Sequence, residues 1–141
     1  MTGEAIFGPF FGMMLLTFLV WVYMYARRLS YVKAHRVDAQ RLTTSVRRDE
    51  IIPEEVSYPA YNLRNLFELP VLFYAVCLYL YVAQQVDAVY VVSAWLFLAA
   101  RVVHSAIHCT TNVVIARFTI YMCSALVLWF IVLRAAAGFL L

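Results

Sequence analysis

Long apolar stretches separated by short polar segments make up the pattern of this chain. Four stretches are long enough to cross a bilayer, whose hydrocarbon core of roughly 30 Å takes about 20 helical residues. They run over about residues 5–26, 61–83, 88–110 and 112–133. None alternates with the two-residue period of a strand, and four spans are too few for a transmembrane barrel. The pattern predicts an all-α membrane protein, a four-transmembrane-helix bundle in which residues 1–141 form a single domain.

The composition narrows the class further. Of the 141 residues, 65% are hydrophobic and 13% are charged, whereas a soluble domain carries about 25% charged residues. This excludes intrinsic disorder and a secreted disulfide scaffold, and it argues against a nucleic-acid partner, so membrane lipids are the expected surroundings. Cys77, Cys109 and Cys123 are odd in number and have no close pair, which indicates neither a disulfide framework nor a zinc ribbon.

The basic residues are concentrated between the first and second stretches. Seven of the eleven Lys and Arg residues lie in the loop over about 27–58. By the positive-inside rule we expect this loop in the cytoplasm and both termini outside it. Arg134 falls near the opposite interface, where we expect its long side chain to extend toward water.

Polar side chains recur at one depth in three of the predicted spans. They are Tyr61, Asn65 and Glu68 in the second span, Arg101, His104 and His108 in the third, and Arg117 and Tyr121 in the fourth. Spacings of three and four place each set on one helix face. Arg64, Arg101 and Arg117 exceed Glu68 by two positive charges, which favours an anionic ligand in a medium of low dielectric constant. An Arg–Glu network that only holds helices together is the other interpretation.

His104 and His108 are four residues apart, a spacing that can also hold a metal or a haem. No carboxylate stands near them on the same predicted helix. We therefore expect no metal and interpret the two histidines as hydrogen-bonding groups between helices.

The polar motifs resemble the MAPEG family, the membrane-associated proteins in eicosanoid and glutathione metabolism. Asn65, Glu68 and Pro70 are similar to its Asn-x-x-Glu followed by Pro, Arg101 with His104 to the Arg-x-x-His of its prostaglandin E synthase branch, and Arg117 with Tyr121 to the Arg-x-x-x-Tyr of that branch. The resemblance covers nearly the whole chain, and the three motifs follow one another in the family's order.

The resemblance implies a homotrimer with glutathione bound between neighbouring protomers, and a bacterial inner membrane. It implies that Asn65 and Glu68 bind the peptide part of glutathione, while Arg101 braces the site. Arg117 would favour the thiolate, which is the nucleophile, with support from Tyr121. We assign the catalytic role to these last two residues. The expected cofactor-binding set is Tyr61, Arg64, Asn65, Glu68, Arg101, His104 and His108.

Two positions depart from the family's pattern. The eicosanoid enzymes have Arg four residues before the Asn, where this chain has Tyr61, and Tyr four residues after the position of His104, where this chain has His108. Two functions therefore stay open. The first is a glutathione transferase or peroxidase that acts on lipophilic electrophiles or hydroperoxides. The second is a non-enzymatic membrane assembly or anionic-lipid-binding protein that uses the same polar layer.

Overall fold

The computed structural model describes residues 3–140; residues 1, 2 and 141 of the predicted domain lie outside the described residues. The described chain forms six α-helices, which are α1 (Phe7–Ala34), α2 (Ser45–Ile51), α3 (Glu54–Leu66), α4 (Leu69–Val82), α5 (Ala88–Cys109) and α6 (Val114–Leu140). Four helical segments are long and apolar enough to cross a membrane: α1, α3 joined to α4, α5, and α6. The predicted four-helix membrane bundle is confirmed.

The helices extend beyond the predicted spans at the end of the bundle that carries the polar loop. Helix α1 continues to Ala34 and α3 begins at Glu54, so the loop shortens from about 27–58 to 35–53 and holds α2. An apolar stretch reports the thickness of the bilayer, but a helix continues into the headgroup region for as long as its backbone allows. Helix α1 ends where Arg36 takes a left-handed φ of 49°. We call this end of the bundle, with residues 35–53 and the 110–113 turn, the long-loop end.

Two glycines of α1 allow a close approach of α5. Gly8 and Gly12 lie one turn apart and face Trp95 and Leu98 of α5. A Cβ atom on Gly12 would come within 2.5 Å of a Leu98 methyl carbon. This is the small-residue spacing that lets membrane helices pack tightly where no hydrophobic effect draws them together.

The second span is interrupted between Leu66 and Leu69. Pro70 lies in the first turn of α4, where it donates no hydrogen bond and its ring would clash with the carbonyl of Leu66 in a continuous helix. The break leaves the Asn65 carbonyl near the interruption, and Nη2 of Arg101 approaches it at 3.4 Å. That carbonyl also accepts from the backbone N–H of Glu68 at 3.3 Å, so the arginine adds a second, charged donor at the interrupted end of α3.

A second proline in this span frees a backbone carbonyl without interrupting the helix. Pro59 lies inside α3 and cannot donate to the carbonyl of Glu55. Nη2 of Arg27 donates to that carbonyl instead, at 3.3 Å. The proline thus attaches α3 to α1 through a carbonyl oxygen that a regular helix would use internally.

Asn62 attaches α3 to α5. Its side chain is fully buried; its Oδ1 accepts from the Ser105 hydroxyl at 3.4 Å, and its Nδ2 lies 3.5 Å from Sγ of Cys109. Below the break, Phe73 of α4 stacks on Phe97 of α5 with 4.6 Å between ring centroids. These contacts fix the face of α3 that presents Asn65 to α5.

Arg134 lies at the end of the bundle opposite the long-loop end with its side chain 36% exposed, and it also has partners within the fold that the sequence did not reveal. Its Nη1 and Nη2 donate to the two carboxylate oxygens of Asp87 at 3.0 and 2.6 Å, and its Cζ lies 4.1 Å from the ring centroid of Tyr90. Asp87 also caps α5 by accepting from the backbone N–H of Tyr90, so its carboxylate is already fixed beside α6. The hydrogen bonds from Arg134 hold the pKa of Asp87 below its ordinary value. We call these three residues the Asp87–Arg134 clamp.

Candidate functional site

A pocket between α3, α5 and α6 gathers most of the polar side chains of the spans near the long-loop end. Its volume is about 290 Å³. The residues that line it are Asn65, His104, His108, Val114, Arg117, Phe118 and Tyr121. We call it the central polar pocket. The turn from α5 to α6 brings the two helices together, because Asn112 takes a left-handed φ of 49° and donates its N–H to the Ile107 carbonyl at 2.8 Å.

Arg101 lies beneath the central polar pocket and is fully buried. Its Nη2 donates to Oδ1 of Asn65 at 2.5 Å, and Nδ2 of Asn65 donates to Oε2 of Glu68 at 2.8 Å. Glu68 lies at the helix break and is exposed. The amide of Asn65 therefore links a buried cation to an accessible carboxylate. Nε and Nη1 of Arg101 are buried and have no hydrogen-bond partner in the described part of the chain.

His104 has a defined tautomer in its neutral form. Its Nδ1 lies 3.1 Å from the carbonyl oxygen of Arg117, and because a carbonyl only accepts, Nδ1 carries the proton. The lone pair is then on Nε2, which is buried and unpaired among residues 3–140. The His104 ring lies 5.4 Å from that of His108 and 5.9 Å from that of Tyr121, measured between centroids. The unpaired Nε2 therefore belongs to a ring that lies close to two others, those of His108 and Tyr121.

Arg117 enters the pocket from the first turn of α6. Its Nη1 donates to Oδ1 of Asn112, and no carboxylate of the described residues forms an ion pair with it. Arg101 and Arg117 together exceed Glu68 by one positive charge. A pocket with excess positive charge and unpaired buried donors is suited to an anionic ligand.

The structure brings together most of the predicted site residues, but not all. Asn65, His104, His108, Arg117 and Tyr121 line the central polar pocket, Arg101 lies beneath it, and Glu68 reaches it through Asn65. Tyr61 and Arg64 line a separate pocket on the side of α3 that faces α1 and α2. The excess charge at the centre is therefore one rather than the two that included Arg64.

Three residues of this site were not singled out from the sequence. Asn112 holds the Arg117 guanidinium, while Val114 and Phe118 form the outer wall of the pocket. An Asn shortly after the end of a helix is a signal for a left-handed helix end, which would have identified Asn112. Within residues 3–140, no group of three or more His, Cys, Asp and Glu side chains is arranged to hold a metal ion.

Comparison with known proteins gives one match. The model of the MAPEG family matches residues 6–137 of the 141-residue chain. The matched range includes every residue of the central polar pocket and nearly all of the four spanning segments. No curated protein and no solved structure matches the chain.

Proposed function

Because the chain belongs to the MAPEG family, we propose that it is a glutathione-dependent transferase or peroxidase acting on lipophilic electrophiles or hydroperoxides. Its membership makes it an integral membrane protein of a family of glutathione and eicosanoid metabolism. The observation that carries the finer proposal is the set of unpaired buried polar atoms around the central polar pocket, on Arg101, His104 and His108.

The Arg101–Asn65–Glu68 chain suits the peptide part of glutathione. The exposed Glu68 carboxylate is an acceptor for an ammonium group, and Nε and Nη1 of Arg101 are free donors for a carboxylate. Asn65 fixes both groups through its own hydrogen bonds. Burying an unpaired donor costs about 1–3 kcal/mol, and an anionic ligand would offset that cost.

The other side of the pocket suits a thiol. Nε2 of His104 is an acceptor for a proton, and the Arg117 guanidinium supplies the positive charge that favours an anion beside it. Tyr121 borders the same space. Bound glutathione supplies a thiolate, which is a far stronger nucleophile than the thiol. We assign to Arg117 the stabilisation of that charge and to Tyr121 a supporting position.

A homotrimer is part of the proposal because the pocket opens along the outer face of α6. Val114 and Phe118, which form its outer wall, are 62% and 61% exposed in the protomer. A neighbouring protomer on this face would close the pocket, and the apolar rim would admit a lipophilic substrate from the bilayer. Cross-linking of detergent-solubilised protein should give a ladder that ends at three protomers; a ladder ending at one or two contradicts the trimer.

The decisive test is glutathione binding to the detergent-solubilised protein, measured by calorimetry, together with thiolate formation measured by ultraviolet absorbance. We expect binding, a thiolate signal and turnover of a generic aromatic electrophile. Arg117→Ala should remove the thiolate signal and lower turnover by about 10²–10³-fold, the usual loss when one charge-stabilising group is removed. Arg41→Ala, an exposed loop arginine, is the matched control and should change neither. Absence of both binding and turnover would overturn the proposal.

The second candidate is a non-enzymatic membrane assembly or anionic-lipid-binding protein. The observation in its favour is that Arg101 donates to Asn65 and Arg117 to Asn112, so each guanidinium already has a structural partner. Under this proposal glutathione does not bind and the protein shows no turnover. Arg117→Ala then only lowers the thermal midpoint. Mass spectrometry of the purified protein would then detect a retained anionic lipid.

We also propose that the long-loop end faces the cytoplasm of a bacterial inner membrane, with both termini on the other side. The support is the concentration of basic residues in the first loop, which positive-inside insertion retains in the cytoplasm. A phosphatase reporter that is active only outside the cytoplasm, fused after the last residue, should be active. An inactive reporter with a fluorescent cytoplasmic counterpart would reverse the orientation.

A further inference from the structure

A second polar pocket lies at the long-loop end, apart from the central polar pocket. It has a volume of about 220 Å³ and shares no lining residue with the central one. Its walls come from α1, α2 and α3, and its lining residues are Arg28, Ser45, Arg48, Asp49, Ser57, Ala60, Tyr61 and Arg64. We call it the basic pocket.

The positive charge of the basic pocket is only partly compensated. Three guanidinium groups, one from each helix, face a single carboxylate. The carboxylate belongs to Asp49, whose Oδ1 lies 3.7 Å from Nε of its sequence neighbour Arg48. Within residues 3–140 the side chains of Arg28 and Arg64 make no hydrogen bond, and Nε of Arg28 is buried without a partner. A net charge of two among groups that line one pocket favours a bound anion.

The depth of the basic pocket is that of lipid headgroups. Trp21, Tyr23 and Tyr25 of α1 are 48%, 37% and 42% exposed, and exposed Trp and Tyr side chains mark the membrane interface. Arg28 follows Tyr25 by three residues, which is about 4.5 Å further along the helix. The pocket therefore opens at the level where phosphate groups of a bilayer lie.

We propose that the basic pocket binds a phosphate group, which is supplied by an anionic phospholipid headgroup or by a free phosphate. Guanidinium groups recognise phosphate through paired hydrogen bonds, and three of them converge here from three helices. The hydroxyls of Ser45, Ser57 and Tyr61 offer further donors. A phosphate at this position would attach the loop helix α2 to α1 and α3, and it would leave the central polar pocket free.

The test measures the thermal midpoint of the full chain in detergent with inorganic phosphate, against chloride at equal ionic strength. A second arm compares vesicles of phosphatidylcholine alone with vesicles that also contain phosphatidylglycerol. Stabilisation in both arms assigns the pocket to phosphate of either source, and stabilisation by phosphatidylglycerol alone assigns it to a lipid headgroup. Either result supports the proposal, and stabilisation in neither arm overturns it.

Variants locate the effect. Arg28→Gln and Arg48→Gln should each weaken binding about tenfold or more, the loss expected for a charge-assisted hydrogen bond. Arg47→Gln is the matched control, because it is the neighbour of Arg48 on α2, removes the same charge and lies outside the basic pocket. An equal loss in Arg47→Gln indicates diffuse attraction and overturns the proposal.

Glutathione distinguishes this proposal from the proposed function. We expect Arg48→Gln to leave glutathione binding unchanged and phosphate not to compete with glutathione. Competition between the two, with weaker glutathione binding in Arg48→Gln, would make the basic pocket a part of the glutathione site and would overturn a separate phosphate site. Failure of glutathione to bind at all would leave the phosphate result standing by itself.

Discussion

The central polar pocket and the Asp87–Arg134 clamp use the same residue type in opposite ways. In the clamp, two guanidinium nitrogens donate to two carboxylate oxygens and a tyrosine ring covers the cation. Beneath the pocket, Arg101 is fully buried and its Cζ lies 5.8 Å from the ring centroid of Tyr121, but it donates through one nitrogen and its other two are unpaired among the described residues. An arginine whose charge is matched within the fold holds helices together, whereas one with donors left over is suited to a ligand.

Among the variants that test this comparison, Arg101→Met should have the largest effect. It removes the buried cation and leaves the Asn65 amide oxygen without its donor, while the Asn65 carbonyl keeps the backbone N–H of Glu68. We expect glutathione to bind about 100-fold more weakly, since its carboxylate loses two hydrogen bonds of about 1.5 kcal/mol each, those from Nε and Nη1 of Arg101. The thermal midpoint should also fall. Calorimetry measures the first and circular dichroism the second. Arg101→Lys, which retains the charge, should recover part of the binding; a lower midpoint with unchanged affinity would make Arg101 structural like Arg134.

Asn65→Leu should have the next largest effect, because it removes the amide that links Arg101 to Glu68. We expect about tenfold weaker glutathione binding, the loss of one hydrogen bond to a charged group. A double-mutant cycle with Glu68→Gln sharpens this result. If Asn65 acts by fixing Glu68, the two losses are not additive; strictly additive losses would contradict the link.

Asp87→Asn tests the other side of the comparison. It should lower the stability of the folded chain by about 1 kcal/mol or less, since the pair is partly exposed. Glutathione affinity should stay the same, because the clamp lies at the opposite end of the bundle. Arg134→Gln should give the same loss, and the double variant should lose little more. A change in glutathione affinity in either variant would mean that the two ends are coupled.

The smallest expected effect is on the pH dependence of stability. Arg134 lowers the pKa of Asp87 in the folded chain, so the clamp stabilises the fold fully above the unfolded pKa of about 3.9. The contribution is lost as pH falls through the lower, folded pKa. Thermal midpoints of the wild type and Asp87→Asn should therefore differ at neutral pH and converge below about pH 4. A difference that persists in acid would assign the stabilisation to packing on Tyr90.

The four spans and the polar side chains that share one depth follow from local sequence rules. Helical spacing and depth place Asn65, Arg101 and Arg117 at one level because the rise per residue is fixed in a helix. In the structure Asn65 and Arg117 line the central polar pocket, and Arg101 lies beneath it in contact with Asn65. Tyr61 fits the same spacing, yet it lines the basic pocket. Which side of α3 is covered by α1 and α2 depends on how the loop returns, and local spacing carries no information about that.

The partner of Arg134 was hidden from the sequence for a similar reason. Arg134 and Asp87 are 47 positions apart, and an arginine near the end of a predicted span reads as an interfacial residue. Only the packing of α5 against α6 shows that the capping carboxylate lies within its reach. The unpaired nitrogens of His104 and Arg101 likewise depend on three-dimensional contacts, so the sequence predicts the residues but not their unused hydrogen-bonding capacity.

The interruption of the second span has a mechanical consequence. The two halves of a proline-broken helix are not joined by a continuous series of backbone hydrogen bonds. Here Arg101 of α5 holds the carbonyl and the side chain of Asn65 just before the break, and Arg27 of α1 holds the carbonyl of Glu55. The joint is therefore braced from two neighbouring helices on its α3 side. The segment that carries Asn65 is therefore held in register with α5 although the helix is broken directly after it.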